Sequence, residues 1–258
     1  MQLSSAVSRV IPFKDWSNSL KSGQTENILD RLKPVLGERI LVIGCADGSM
    51  AQMIKERGCS VVAVDNNVAM IEEARNNGID ARLMNGESLI FEDEFDAVVS
   101  YSALHWMRHP DKVISGVWAT LKKGGRFVGE MGAYGNLDKV IDIFLKALEK
   151  RGIDGFYLIP WYFPSVQDYN KRLQNKGFVV KDIEEDMFLQ PLDISVSDWI
   201  RDKVGEAFAS ALPEDEREAF YAEVEKVIEE TLPAEEKTNR KIIEYRTLVF
   251  DALKPVED

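Results

Sequence analysis

Cysteine and histidine are scarce, with two of each in 258 residues. Cys45 and Cys59 cannot build a disulfide scaffold or a four-ligand zinc site by themselves, which suits a reducing cytoplasm. No run approaches the ~18 consecutive apolar residues of a membrane span. Met1 to Leu20 mixes Arg9, Lys14 and Asp15 with short apolar pieces and lacks a secretory core. A basic excess is missing as well. The formal net charge is −12, which disfavours the phosphate backbone of DNA or RNA. No metal, no nucleic acid and no membrane is therefore expected as a partner, and nothing fixes the oligomeric state.

What is present is an ordinary globular composition, 45% hydrophobic, in a length that suits one large domain or one domain with an insertion. The acidity is lopsided. Residues 1–181 carry 23 Lys and Arg against 22 Asp and Glu, whereas residues 182–258 carry 9 against 22. The usual meaning of such a charge run is a solvated helix face.

From residue 39 onward, short apolar runs alternate with helical spacing. Arg39 to Ile43, Ser60 to Val64, Ala81 to Met84, Phe95 to Ser100 and Arg126 to Met131 read as strands. Ser49 to Arg57, Asn67 to Asn77 and Asp111 to Leu121 read as the helices between them, the last closed by Lys122-Lys-Gly-Gly125. This rhythm signals βαβ crossovers and a parallel sheet. After residue 132 come an amphipathic helix from Leu137 to Lys150, an aromatic loop and a helix from Ser165 to Lys176. A strand from Phe178 to Ile183, a wholly helical charged stretch over 195–240 and a final strand from Ile242 to Phe250 complete the chain.

Strand, then Gly44-Cys-Ala-Asp-Gly48, then helix is an arrangement that sets backbone N–H groups and a helix N-terminus against a ligand. Asp65 follows Gly44 by 21 residues, at the end of the second strand, where a carboxylate accepts hydrogen bonds from ribose hydroxyls. A plain turn with an Asp capping the next helix is the alternative. Two phosphate-binding readings fail on spacing. A dinucleotide fingerprint needs G-x-G-x-x-G, but positions 46 and 49 are Ala and Ser. A P-loop needs Gly-Lys-Ser/Thr, but Gly48 is followed by Ser49-Met50.

Five stretches in this order and spacing resemble the class I S-adenosylmethionine-dependent methyltransferases. They are Ile40-Leu-Val-Ile-Gly-Cys-Ala-Asp-Gly48, Val62-Ala-Val-Asp65 with Met70, Asn85-Gly-Glu-Ser88, Phe95-Asp-Ala-Val-Val-Ser100 and Leu121-Lys-Lys-Gly-Gly-Arg-Phe127. The resemblance implies an α/β fold with a Rossmann-like, seven-stranded, mostly parallel sheet and helices on both faces. It implies S-adenosyl-L-methionine as cofactor and S-adenosyl-L-homocysteine as product. It places Gly44, Cys45, Ala46 and Gly48 around the methionine part, and Asp65 on the ribose. Asn66, Met70, Gly86, Glu87 and Ser88 fall around the adenine, and Ser102 and Ala103 on the sulfonium side. Gln24, in a segment over 1–34 that folds across the donor, is a candidate for its carboxylate. A methyltransferase domain over 35–258 would carry cap insertions at about 133–176, after strand five, and 190–240, between strands six and seven. Val42 stands where the family usually has an acidic residue, and Ala46 where it has a glycine. A non-catalytic donor-binding or regulatory protein is accordingly the alternative function.

Ala103-Leu-His-Trp106, Gly129-Glu-Met-Gly132, Gly135-Asn136 and Trp161-Tyr-Phe-Pro-Ser165 further resemble the branch with trans-aconitate and other small-molecule methyltransferases. The expected reaction is therefore methyl transfer to a small molecule, at a carboxyl or hydroxyl oxygen, in the cytoplasm. His105 is either a general base or a residue that packs the loop, where Trp106 borders the acceptor or fills core. Glu130 and Tyr134 are acceptor contacts, or Glu130 is a salt-bridged loop carboxylate. Trp161 and Tyr162 form an aromatic wall for the acceptor or a minor core under a cap.

Overall fold

The structure, a computed structural model, describes residues 28–256. Seven strands form one sheet: β1 (Arg39–Ile43), β2 (Ser60–Asp65), β3 (Asp80–Leu83), β4 (Phe95–Tyr101), β5 (Leu121–Gly132), β6 (Val179–Pro191) and β7 (Ile242–Leu253). Their order is β3-β2-β1-β4-β5-β7-β6. The first five are parallel, and β7 runs antiparallel to both of its neighbours.

Eight helices connect or cover the strands: α1 (Ser49–Glu56), α2 (Val68–Asn76), α3 (Pro110–Thr120), α4 (Asp138–Glu149), α5 (Val166–Lys176), α6 (Val196–Trp199), α7 (Glu206–Ala209) and α8 (Glu214–Thr231). A π-helical segment, Ile200–Val204, joins α6 towards α7. Local chemistry sets several starts. Asn67 caps α2 by accepting the Ala69 N–H at 2.9 Å, and Ser165 caps α5 by accepting the Asp168 N–H at 3.1 Å.

Because side chains alternate across a strand, β1 serves two layers. Ile40 and Val42 pack with α1, α2 and the helical turn 28–32, whereas Leu41 and Ile43 pack with α3 and α5. Val42 is fully buried in the first of these layers. A third core lies off the sheet, where Phe144 of α4 stacks on Phe208 at 4.8 Å among Trp199, Ile200, Phe220 and Val224. This helical layer is the cap.

Several expectations need correction. Helix α5, placed in the first cap insertion over 133–176, belongs to the sheet layer, because Tyr169 and Leu173 pack with Phe127 and Phe250. The stretch 195–240 is helical only to Thr231 and is broken at Gly205 and around Leu212-Pro213. Beyond it the chain doubles back through an Ala234–Lys241 bridge into β7. Lys122 to Gly125 lies within β5, whose register against β4 shifts between Phe95 and Ala97. Strands β6 and β7 extend past Ile183 and Phe250. Of the 1–34 segment only residues 28–34 are described, so Gln24 lies outside the described residues.

Candidate active site

The glycine turn joins β1 to α1. Gly44 has φ +70°, and its N–H donates to the Val64 carbonyl at 2.8 Å. A Cβ built there would stand 2.2 Å from the Ala103 Cβ, so only glycine lets the two segments meet. Gly48, at φ +87°, starts α1 with its own missing side chain close to Ala74 and Ile79. Between them Ala46 holds φ +46°, the left-handed conformation that the more usual glycine would adopt freely. The turn therefore keeps its shape with alanine in the middle, at a conformational cost.

Asp65, at the end of β2, ties this turn to the next. Its Oδ2 accepts the Ala46 N–H at 3.1 Å and its Oδ1 accepts the Asn67 N–H at 2.9 Å. A carboxylate oxygen has two lone pairs, so each retains capacity for a hydroxyl donor. Burial raises the Asp65 carboxyl above its ordinary value, against three backbone N–H donors that lower it. Asn66 is exposed and Met70 half-buried beside it. Gly86 packs close to Ile43 at the end of β1. Glu87 spends its carboxylate on His109, accepting its N–H at 3.0 Å and meeting its Nδ1 at 2.8 Å, while Ser88 is exposed. Burial and the nearby Asp65 push the Cys45 thiol up to about 12, so it is no nucleophile. A bare backbone turn and a carboxylate from the adjacent strand that reaches it together fit S-adenosylmethionine.

Ser102, also left-handed at φ +50°, carries the chain from β4 to the other half of the site. Two strained non-glycine residues, Ala46 and Ser102, thus lie at the carboxyl edge of the sheet, where strain commonly accompanies function. The Ser102 N–H donates to the Glu130 carbonyl at 3.0 Å, and its hydroxyl donates to Glu130 Oε1 at 3.4 Å. Beyond Glu130 lies a cavity of about 30 Å³. Its walls come from β5 (Glu130, Gly132), the antiparallel pair β6 and β7 (Phe188, Gln190, Tyr245, Thr247) and the cap (Leu137, Trp161). Ser102, His105, Asn136 and Phe163 complete it.

The tautomer of His105 follows from its partner. Gly132 donates its N–H to His105 Nδ1 at 3.1 Å, so Nδ1 is an acceptor and the proton of the neutral ring sits on Nε2. Burial lowers the imidazole to about 3, which keeps it neutral. With one nitrogen engaged and the other protonated, His105 offers the cavity a donor, and the general-base role expected for it does not fit. Glu130 is the opposite case. Burial pushes its carboxyl up to about 7, only partly offset by the Ser102 hydroxyl. A group poised near neutrality in a cavity is the one equipped to exchange a proton.

The remaining expectations divide. Trp161 reaches the cavity from the cap core, stacked on Phe163 at 5.7 Å and edge-on to Trp106 at 5.6 Å. Trp106 is half-buried against that core and is not among the lining residues. Tyr162 points the other way: its hydroxyl donates to Asp168 at 2.6 Å, so it belongs to the α5 side and not to the aromatic wall. Tyr134 is 70% exposed, outside the cavity. Sequence reasoning missed Asn136, Phe188, Gln190, Tyr245 and Thr247. Asn136 was detectable as a polar residue following Gly135 beside strand five, whereas the other four depend on the β6–β7 register.

Known proteins share this architecture. A family profile described as "Methyltransferase domain" matches residues 41–129. An uncharacterized methyltransferase of Schizosaccharomyces pombe is 33% identical over 204 residues, spanning 74% of this chain and 77% of that protein. A trans-aconitate 2-methyltransferase of Mycolicibacterium gilvum is 25% identical over 218 residues, 80% of this chain and 84% of that protein. The solved structure of Haemonchus contortus phosphoethanolamine N-methyltransferase 2 in complex with S-adenosyl-L-methionine matches with a TM-score of 0.55 at 19% identity. It covers 91% of this chain and 53% of that one. A likeness at that identity is one of fold.

Proposed function

Because the chain belongs to the class I S-adenosylmethionine-dependent methyltransferases, we propose that its acceptor is a small molecule methylated at a carboxyl or hydroxyl oxygen. The donor is S-adenosyl-L-methionine, which supplies a methyl group already activated by the sulfonium. Under this reading the Gly44–Gly48 turn receives the methionine part, Asp65 accepts from the ribose hydroxyls, and Asn66, Met70 and Gly86 border the base. What remains for the protein is to align an acceptor with the methyl group and to keep water out.

One observation carries the acceptor half of this reading. Ser102 lines the cavity with Glu130, and its chain neighbour Ala103 packs toward Gly44, so under this reading the donor and acceptor sides adjoin at Ser102–Ala103. A small, recessed cavity lined by aromatic rings with a few polar groups favours a small molecule over a protein or nucleic acid. The trans-aconitate 2-methyltransferase relative supports the same class. A cytoplasmic location, suggested by two free and buried cysteines, belongs to the same proposal.

Thermal shift tests the donor assignment. S-adenosylhomocysteine should raise the melting temperature by mass action, and NAD should not. An acceptor screen read by mass spectrometry for a gain of about 14 Da then tests the reaction. Absence of stabilisation by S-adenosylhomocysteine would refute the donor site as drawn.

A further inference from the structure

Glu130 is the one carboxylate on the cavity wall among the described residues, and no Lys or Arg lines the cavity with it. The nearby cation on β7, Arg246, is directed to Glu244 at 3.1 Å and Glu185 at 3.4 Å. The other titratable groups on the wall are His105, neutral with its Nε2–H as donor, and Tyr245, whose hydroxyl burial holds protonated. Two stacked ring pairs flank this polar spot: Trp161 on Phe163 at 5.7 Å and 13°, and Phe188 on Tyr245 at 5.4 Å and 20°. A flat ring matches these walls, and an uncharged one matches the polar groups between them.

Resting on the oxygen-methylation reading above, we propose that the acceptor is an uncharged phenolic compound and that Glu130 is the base that takes its proton. The acceptor O–H bond breaks, and its proton passes to a Glu130 carboxylate oxygen. The acceptor oxygen forms the new bond to the methyl carbon. The methyl–sulfur bond breaks with its electron pair left on sulfur, so the products are a methyl ether, S-adenosylhomocysteine and a protonated Glu130, which returns its proton to solvent. The Ser102 hydroxyl donates to Glu130 Oε1 at 3.4 Å and so orients the carboxylate, and His105, Asn136, Gln190 and Thr247 bring further donors to the wall. A carboxylate acceptor would bring a second negative charge beside Glu130 with no described cation to match it, and like charges in a dry site cannot both ionise. An apolar ring needs on the order of 150 Å³, more than the resting cavity provides, so entry displaces its cap-borne wall at Leu137 and Trp161.

The test titrates phenol and benzoate, two flat probes that differ in charge, into the protein saturated with S-adenosylhomocysteine. Calorimetry at about pH 6 and about pH 8 brackets the Glu130 ionisation. Phenol should bind at both, and benzoate should weaken by up to about ten-fold on going to the higher pH. In Glu130→Gln the pH dependence of benzoate binding should vanish, with stabilisation by S-adenosylhomocysteine intact. Benzoate binding as tightly as phenol at the higher pH, benzoate dependence that survives in Glu130→Gln, or binding of neither probe overturns the proposal. Loss of stabilisation by S-adenosylhomocysteine in the wild-type protein instead overturns the donor reading on which it rests.

Discussion

Gly44→Ala would set a methyl group where Ala103 already stands. The new Cβ would lie 2.2 Å from the Ala103 Cβ but 3.6 Å from the Ala103 Cα, an ordinary contact. Two penalties combine. Holding alanine at φ +70° costs about 1–2 kcal/mol, and overpacking adds about 1–3 kcal/mol. A less flexible unfolded chain returns about 0.4–1 kcal/mol. The expected net loss is about 3 kcal/mol, with most of its spread in the clash. The companion change Ala103→Gly removes the offending methyl and by itself should cost about 0.5–1 kcal/mol through chain entropy. In the double variant the clash disappears while the backbone strain stays. The pair should therefore couple by about 1–3 kcal/mol, with the double variant more stable than the sum of the single losses predicts. Urea denaturation of the four proteins measures this, and S-adenosylhomocysteine titration follows the donor site through the same cycle. A Gly44→Ala loss under about 0.5 kcal/mol, or strict additivity, would show that the turn and the post-β4 segment do not meet as described.

Asp65→Asn should weaken S-adenosylhomocysteine by about 10- to 100-fold in calorimetry, since it removes charge from hydrogen bonds worth about 1.5–3 kcal/mol; an unchanged affinity would remove Asp65 from the ribose site. Tyr162→Phe deletes a hydroxyl bonded to Asp168 at 2.6 Å and should lose about 1 kcal/mol of stability without altering phenol binding, because the ring faces away from the cavity. Burial raises the folded Glu130 carboxyl from an ordinary 4.5 to about 7, so the folded state holds this proton more tightly than the unfolded state. That contribution is complete below about pH 4.5 and lost as pH rises through about 7, an upper bound of about 3 kcal/mol. Comparing wild-type and Glu130→Gln stability at about pH 5 and about pH 8 isolates it, since the opposite drift from His105 is common to both. Parallel pH profiles would contradict the buried, near-neutral carboxyl.

The donor half was legible because its signals are local. Ile40 to Ile43 is apolar on both faces, and Gly44 and Gly48 bracket a turn that Asp65 reaches from the adjacent strand. The full extent of β6 was not legible. Asp182, Glu184, Glu185 and Asp186 interrupt any apolar alternation, yet the strand continues because β7 supplies its hydrogen bonds from Ile242 to Leu253. For the same reason Tyr245 and Thr247 could not be assigned to a cavity. Gly132 pairs with Thr247, a register fixed across more than a hundred residues of sequence. Adjacent aromatics posed a finer problem. Phe163 and Trp161 face the cavity and Tyr162 does not, a phase that composition alone cannot set. His105 lines the cavity, and its tautomer turns on one backbone N–H from Gly132, which no local pattern reveals.

The antiparallel insertion of β7 between β5 and β6 also bears on how the molecule assembles. Strands β1 to β5 all lie within residues 39–132, and even their longest-range pairing, Ile40 with Ala97, closes a loop of under sixty residues. Pairing Arg126 with Leu253 closes a far longer one, with the whole cap inside it. The entropy of closing a loop rises with its length, and non-local pairing slows folding. The nucleotide-binding half can thus gain order while the chain is still being made, whereas the wall carrying Tyr245 and Thr247 forms last. Damage to β7 would still reach both halves, through the core that Leu248, Phe250 and Ala252 share with Leu41 and Ile43, and would also take away the cavity wall at Tyr245 and Thr247.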